Sequence, residues 1–119
     1  AYTSRSKTET LGVRPETLER HGTVSEETAR EMAEGARRCC KVDVAVSITG
    51  VAGPAGGTAE TPVGTVVIAL AAERTLLSRR YQLWGTRDWV RLLASQIALD
   101  WVRRHTLGML PRDSLLIRK

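Results

Sequence analysis

The sequence predicts an α/β domain, and three observations carry that reading. Two short apolar runs rich in β-branched residues, Val42 to Ile48 and Val63 to Leu70, flank a glycine and proline loop. Val90, Leu93, Ala94, Ile97, Ala98 and Trp101 recur at helical spacing, the apolar stripe of a long amphipathic helix. Ala29, Met32, Ala33 and Ala36 recur in the same way, with Arg30, Glu31, Glu34 and Arg37 on the opposite side. That inner face is small, so its helix can lie close to a sheet. Apolar runs bounded by turn residues read as buried strands of a sheet covered on both faces.

In chain order, Ala1-Tyr2-Thr3 reads as the tail of a strand, and Ser4 caps a short helix through Leu11 that Gly12 ends. Lys7 then falls in the first turn, where the positive end of the helix dipole pushes an ammonium pKa down and readies the amine as a proton acceptor. The simpler reading is a solvent-facing lysine. Pro15 suits a first helical position, opening a turn from Glu16 to Arg20 that Gly22 closes. Thr23-Val24-Ser25-Glu26 is either a capping box or a segment in which Ser25 is itself the cap. Arg37, Arg38 and Lys41 suit the C-terminal end of the helix that follows. After the second apolar run, Glu73-Arg74 is a short link to an edge strand, Leu76 to Leu83, carrying Arg79 and Arg80. The two strands form an antiparallel hairpin. Thr86 caps the long helix, and Gly108 and Pro111 end the order. The expected organisation is a domain over residues 1–105 and a tail over 106–119.

At 119 residues the chain holds one domain at most, and with no Phe its core is built from Val, Leu, Ile and Ala. The formal net charge is +5, but no aromatic platform is interleaved with Arg74, Arg79, Arg80, Arg103, Arg104, Arg112, Arg118 and Lys119. Stacking on bases has little to rest on, and nucleic acid is a disfavoured partner. Cys39 and Cys40 are adjacent with no further cysteine to pair with, which points to a reducing, cytoplasmic setting. His21 and His105 are far apart, so no metal-ligand cluster is expected. Nothing reads as a signal peptide or as an apolar span long enough for a bilayer. The start at Ala1, on a strand tail, raises the expectation of further sequence upstream.

The loop has four glycines within Gly50 to Gly57, so backbone amides can approach a phosphate or carboxylate without side chains in the way. A surface turn that needs glycine only for its dihedral angles is an equal contender. It is not the phosphate loop of nucleotide hydrolases, because no Gly-Lys-Ser/Thr follows and the loop leads to a strand. The dinucleotide fingerprint fails for the same reason. Arg87, at the entrance of the long helix, can meet an anion with its guanidinium beside free backbone amides, or simply be a surface arginine.

A set of ordered motifs now resembles one family. Tyr2 with Lys7 five residues on, Leu11-Gly12-Val13, Gly22-Thr23-Val24-Ser25-Glu26, Glu31-Met32-Ala33-Glu34-Gly35-Ala36 and, above all, Ser47-Ile48-Thr49-Gly50-Val51-Ala52-Gly53-Pro54 through Gly56-Gly57-Thr58 to Pro62-Val63-Gly64-Thr65-Val66 are similar to the C-terminal domain of the competence and damage-inducible CinA proteins, also found alone as nicotinamide mononucleotide amidohydrolase. The resemblance implies a three-layer α/β/α domain with a mixed, mainly parallel sheet. It implies hydrolysis of the carboxamide of nicotinamide mononucleotide to nicotinate mononucleotide and ammonia, with no cofactor. On the same basis Lys7 is the catalytic lysine and Tyr2 the tyrosine beside it. Thr49, Gly50, Gly53, Pro54, Gly56, Gly57 and Thr58 bind the nucleotide, and Arg87 is a phosphate ligand. A homo-oligomer and an N-terminal nucleotide-pyrophosphatase-like domain in the same polypeptide are also expected.

The chain departs from the family pattern at Ser4 and Arg5, where the family has Asn and Glu, and at Gly85-Thr86-Arg87, where the family has Gly-Asp-Arg. The family's Glu-Ser-Cys-Thr-Gly-Gly segment, which supplies the attacking serine, precedes the tyrosine and is not within these residues. With it would come an N-terminal helix and a central strand, so a longer polypeptide is expected and the 119 residues alone should fold poorly. Ser4 and Lys7 also form a Ser-x-x-Lys pair on one helical face, a minor alternative nucleophile and base. From another functional class comes a catalytically silent module that binds the nucleotide and serves regulation or assembly.

Overall fold

The structure is a computed structural model and describes residues 11–108. Helix α1 (Pro15–His21) begins on its proline, and the capping residue Arg14 provides no side-chain cap. The acceptor comes from another helix: the Arg14 amide donates to Glu31 Oε1 at 2.8 Å and the Thr17 hydroxyl to Glu31 Oε2 at 2.5 Å. Helix α2 (Glu26–Cys40) is capped by Ser25, whose hydroxyl accepts from the Thr28 amide at 3.2 Å. Acidic residues fill its first turn, Arg37 and Arg38 its last, and Lys41 closes it in the left-handed region at φ 53°.

Three strands follow, β1 (Val44–Gly50), β2 (Thr65–Ala72) and β3 (Thr75–Gln82), in the spatial order β1-β2-β3. The first run was expected to start at Val42. Instead the Val42 amide donates to the Arg37 carbonyl at 3.3 Å, which ties it to the end of α2 and delays the strand to Val44. Helix α3 (Arg87–Thr106) completes the described chain, capped by Thr86, whose hydroxyl accepts from the Trp89 amide at 3.3 Å.

The central strand β2 is buried along nearly its whole length because both of its faces are covered. Its side chains alternate with period two. Val67, Ala69 and Ala71 face α2 and pack with Ala29 and Ala33. Val66, Ile68 and Leu70 face α3 and pack with the stripe Val90, Leu93, Ala94, Ile97, Ala98 and Trp101. That gives helix, sheet and helix in three layers, as expected. Small residues on both sides of the α2 layer allow close approach, and the hydroxyls of Ser47 and Thr49 bridge it, donating to the carbonyls of Ala29 (2.6 Å) and Thr23 (2.7 Å). In the other layer, Trp101 Nε1 donates to the Tyr81 hydroxyl at 3.1 Å, with the rings edge to face at 6.3 Å.

The mainly parallel sheet is not what the described strands form, since both pairings are antiparallel. The connections explain it. Residues Glu73 and Arg74 turn β2 directly into β3, and the loop 51–64 contains no helix to carry the chain back for a parallel pairing.

Candidate functional site

The candidate site forms where β1 ends. Gly50 pairs with Val66 at the last rung of the ladder, and a Cβ at this position would lie 2.6 Å from the Thr65 carbonyl oxygen. Only glycine lets the two backbones meet so closely. The loop that follows is anchored at its base, where the Val51 amide donates to the Thr65 carbonyl (2.9 Å) and the Gly64 amide to the Val51 carbonyl (2.7 Å). Its far side is braced by Thr58 and Thr61, which exchange backbone and hydroxyl hydrogen bonds, and by Arg80, whose guanidinium donates to the Glu60 carbonyl. Gly53 takes φ +88°, with a cis peptide bond to Pro54, and a Cβ there would meet Val63 Cγ1 at 2.5 Å. The turn is therefore glycine-dependent for both conformation and space.

Helix α3 brings Arg87 to this loop. Its Nη1 donates to the Gly53 carbonyl at 3.1 Å, leaving the remaining guanidinium donors on an exposed side chain. A cleft of about 540 Å³ opens there, walled by Gly50, Gly53, Gly56, Thr58 and Arg87 together with His21, Thr23 and Glu60. On the other side of Arg87 lies a groove of about 310 Å³ between β1 and α3. Its floor is apolar, made by Ile48, Val66, Val90 and Ala94, and its α3 rim carries Arg87, Arg91 and Ser95.

The structure thus brings together five of the expected binding positions: Gly50, Gly53, Gly56, Thr58 and Arg87. The Thr49 side chain is buried, with its hydroxyl committed to Thr23, a residue of the cleft wall. Pro54 and Gly57 lie on the same loop but do not line the cleft. Tyr2, Lys7 and Ser4 lie outside the described residues. His21, Thr23 and Glu60 were not read from the sequence as binding residues, His21 having been weighed only as a metal ligand and Thr23 only as part of a capping segment and a family motif, since only the packing of α2 on the sheet and the fold of the loop bring them here. Arg91 carried one usable signal, its spacing of four residues from Arg87 on the same helix.

Among the described residues two carboxyls are perturbed, both away from the cleft. Burial pushes Glu31 up, but hydrogen bonds from the Arg14 amide, the Thr17 hydroxyl and the Arg14 guanidinium, with the attraction of that charge, outweigh it and hold the carboxyl below its ordinary value. Asp100 is held low by hydrogen bonds from Arg104 (2.6 Å) and Arg103 (2.8 Å). Among the described residues no three His, Cys, Asp or Glu side chains cluster to hold a metal ion, and no helix is long and apolar enough to cross a membrane.

The described elements define a three-layer α/β/α domain with a loop-built cleft at the end of a strand. Residues 1–106 match the family described as the CinA C-terminal domain, and the chain belongs to that family. A CinA-like protein from Syntrophus aciditrophicus is 50% identical over 105 residues, covering 87% of this chain and 25% of the relative. A CinA-like protein from Geotalea uraniireducens is 44% identical over 108 residues, covering 91% and 26% respectively. Among solved structures, the competence/damage inducible protein CihA from Agrobacterium tumefaciens superposes with a TM-score of 0.85 at 38% identity, over 89% of this chain and 66% of that one. The chain spans about a quarter of the length of these curated relatives.

Proposed function

We propose that this domain, as part of a longer CinA-type protein in the cytoplasm, hydrolyses the carboxamide of nicotinamide mononucleotide to nicotinate mononucleotide and ammonia. The observation that carries the reading is the tie between Arg87 and the Gly53 carbonyl, which sets a cation beside a glycine-lined cleft of about 540 Å³. Such a cleft suits a small anionic ligand with a flat amide: guanidinium for the phosphate, open backbone for the ring and carboxamide.

In this proposal Lys7, held neutral, accepts the proton of the attacking serine, which comes from the family's upstream segment. The serine oxygen adds to the carboxamide carbon, and backbone amides near Gly50 and Gly53 hold the developing oxyanion. Lys7 returns the proton to the departing nitrogen, with Tyr2 relaying it, and ammonia leaves. Water then cleaves the acyl intermediate to the nicotinate product. No cofactor takes part. The length of the relatives supports a longer polypeptide, in which an N-terminal nucleotide-pyrophosphatase-like domain and homo-oligomeric assembly are part of the proposal.

The test is ammonia release from nicotinamide mononucleotide by the full-length protein and its Lys7→Ala variant. Loss of a general base removes about two to four orders of magnitude of rate. Retention of most wild-type activity would take Lys7 out of the mechanism. Tight binding with no turnover in the wild type would instead identify a silent nucleotide-binding module.

A further inference from the structure

We infer that Arg91 is the second half of a phosphate-binding pair with Arg87, so that the nucleotide straddles Arg87, its phosphate in the β1/α3 groove and its pyridine ring in the glycine cleft. The inference rests on the nucleotide reading above and assigns each end of the ligand to a place.

Geometry supports the pairing. Arg87 and Arg91 are four residues apart on α3, hence on one face of the helix, and both line the groove of about 310 Å³. Ser95 continues the row one turn further and lines the same groove, its hydroxyl donating to the Arg91 carbonyl at 2.9 Å. Arg87 also lines the glycine cleft, so it stands at the junction of the two cavities. Arg91 is exposed.

Charge decides which end goes where. A phosphomonoester carries about −1.5 to −2 near neutral pH, and a second guanidinium within reach of the same oxygens adds fork-shaped donors that a single arginine cannot supply. The groove offers two guanidinium cations and no acidic residue in its lining, whereas the glycine cleft has Arg87 as its one arginine, with His21 and Glu60 also on its wall. Glu60 on that wall disfavours a dianion and favours the positive charge of an N-alkylated pyridinium. The apolar floor of Ile48, Val66, Val90 and Ala94 lowers the local dielectric beneath the arginine pair and strengthens its hold on an anion.

The experiment compares nicotinamide mononucleotide with nicotinamide riboside, which lacks the phosphate, by calorimetric titration of the full-length protein, the Arg91→Gln variant and the Arg91→Lys variant. Loss of a charge-assisted hydrogen-bonding pair should weaken mononucleotide binding about ten- to a hundredfold in Arg91→Gln and leave riboside binding unchanged, with Arg91→Lys in between. Mononucleotide binding equal to wild type in Arg91→Gln, or an equal loss for both ligands, would overturn the inference while the nucleotide reading stands. A wild-type protein that binds neither ligand would overturn both. Binding without ammonia release would remove only the hydrolase.

Discussion

At the scale of single residues, Glu31 does the most outside its own element. It stands on α2 yet supplies the N-terminal cap of α1, accepting from the Arg14 amide and the Thr17 hydroxyl while its charge meets the Arg14 guanidinium at 3.3 Å. The sequence put Glu31 on the outer side of its helix, but its side chain is only 18% exposed and turned to α1; the partners lie 14 to 17 residues away, and nothing in local periodicity reports such a pairing. A Glu31→Gln variant should lose about 1.5–3 kcal/mol near neutral pH, the scale of hydrogen bonds to a charged group, read from urea unfolding. The sign with pH follows from the lowered folded-state pKa values of Glu31 and Asp100. Their stabilisation is complete above the unfolded carboxyl range, about pH 4, and is lost as pH falls through the folded values. The gap between wild type and Glu31→Gln should therefore close in acid, and a gap that stayed constant or widened would contradict the assignment.

At the scale of elements, most of the chain was legible because each helix carries its own signals. Pro15, Ser25 and Thr86 mark the starts of α1, α2 and α3, and the whole stripe from Val90 to Trp101 is buried as its spacing requires. Strand pairing was less legible. The hairpin of β2 and β3 could be read from its two-residue link, but β1 and β2 also run antiparallel, and the loop between them shows no periodicity that would set their relative direction. Close packing of α2 hides a further constraint at Gly35, where a Cβ would lie 1.6 Å from the Leu11 carbonyl oxygen. Helix propensity favours Gly35→Ala by about 1 kcal/mol. The clash is with backbone, which cannot rotate aside, so the variant should instead lose about 1–3 kcal/mol. Chemical denaturation decides between the two, and a stabilised Gly35→Ala would show that the Leu11 segment yields freely.

At the scale of the whole molecule, the cleft depends on distant parts of the chain meeting. The loop after β1, the turn before α2 and the first residue of α3 converge although 34 residues separate Gly53 from Arg87. The glycine loop and the arginine were each visible in the sequence. Their meeting was expected only through the family resemblance, because no local pattern encodes a contact made by packing two helices on opposite faces of one sheet. The net charge of +5 places the domain in a field favourable to anionic ligands in general, so specific recognition has to come from this convergence.

Calorimetric titration of the full-length protein with nicotinamide mononucleotide, wild type against Arg87→Ala, tests that convergence most directly. Removing the guanidinium that joins the loop to α3 should weaken binding by about tenfold or more. Equal affinities in the two proteins would contradict the cleft as the nucleotide site.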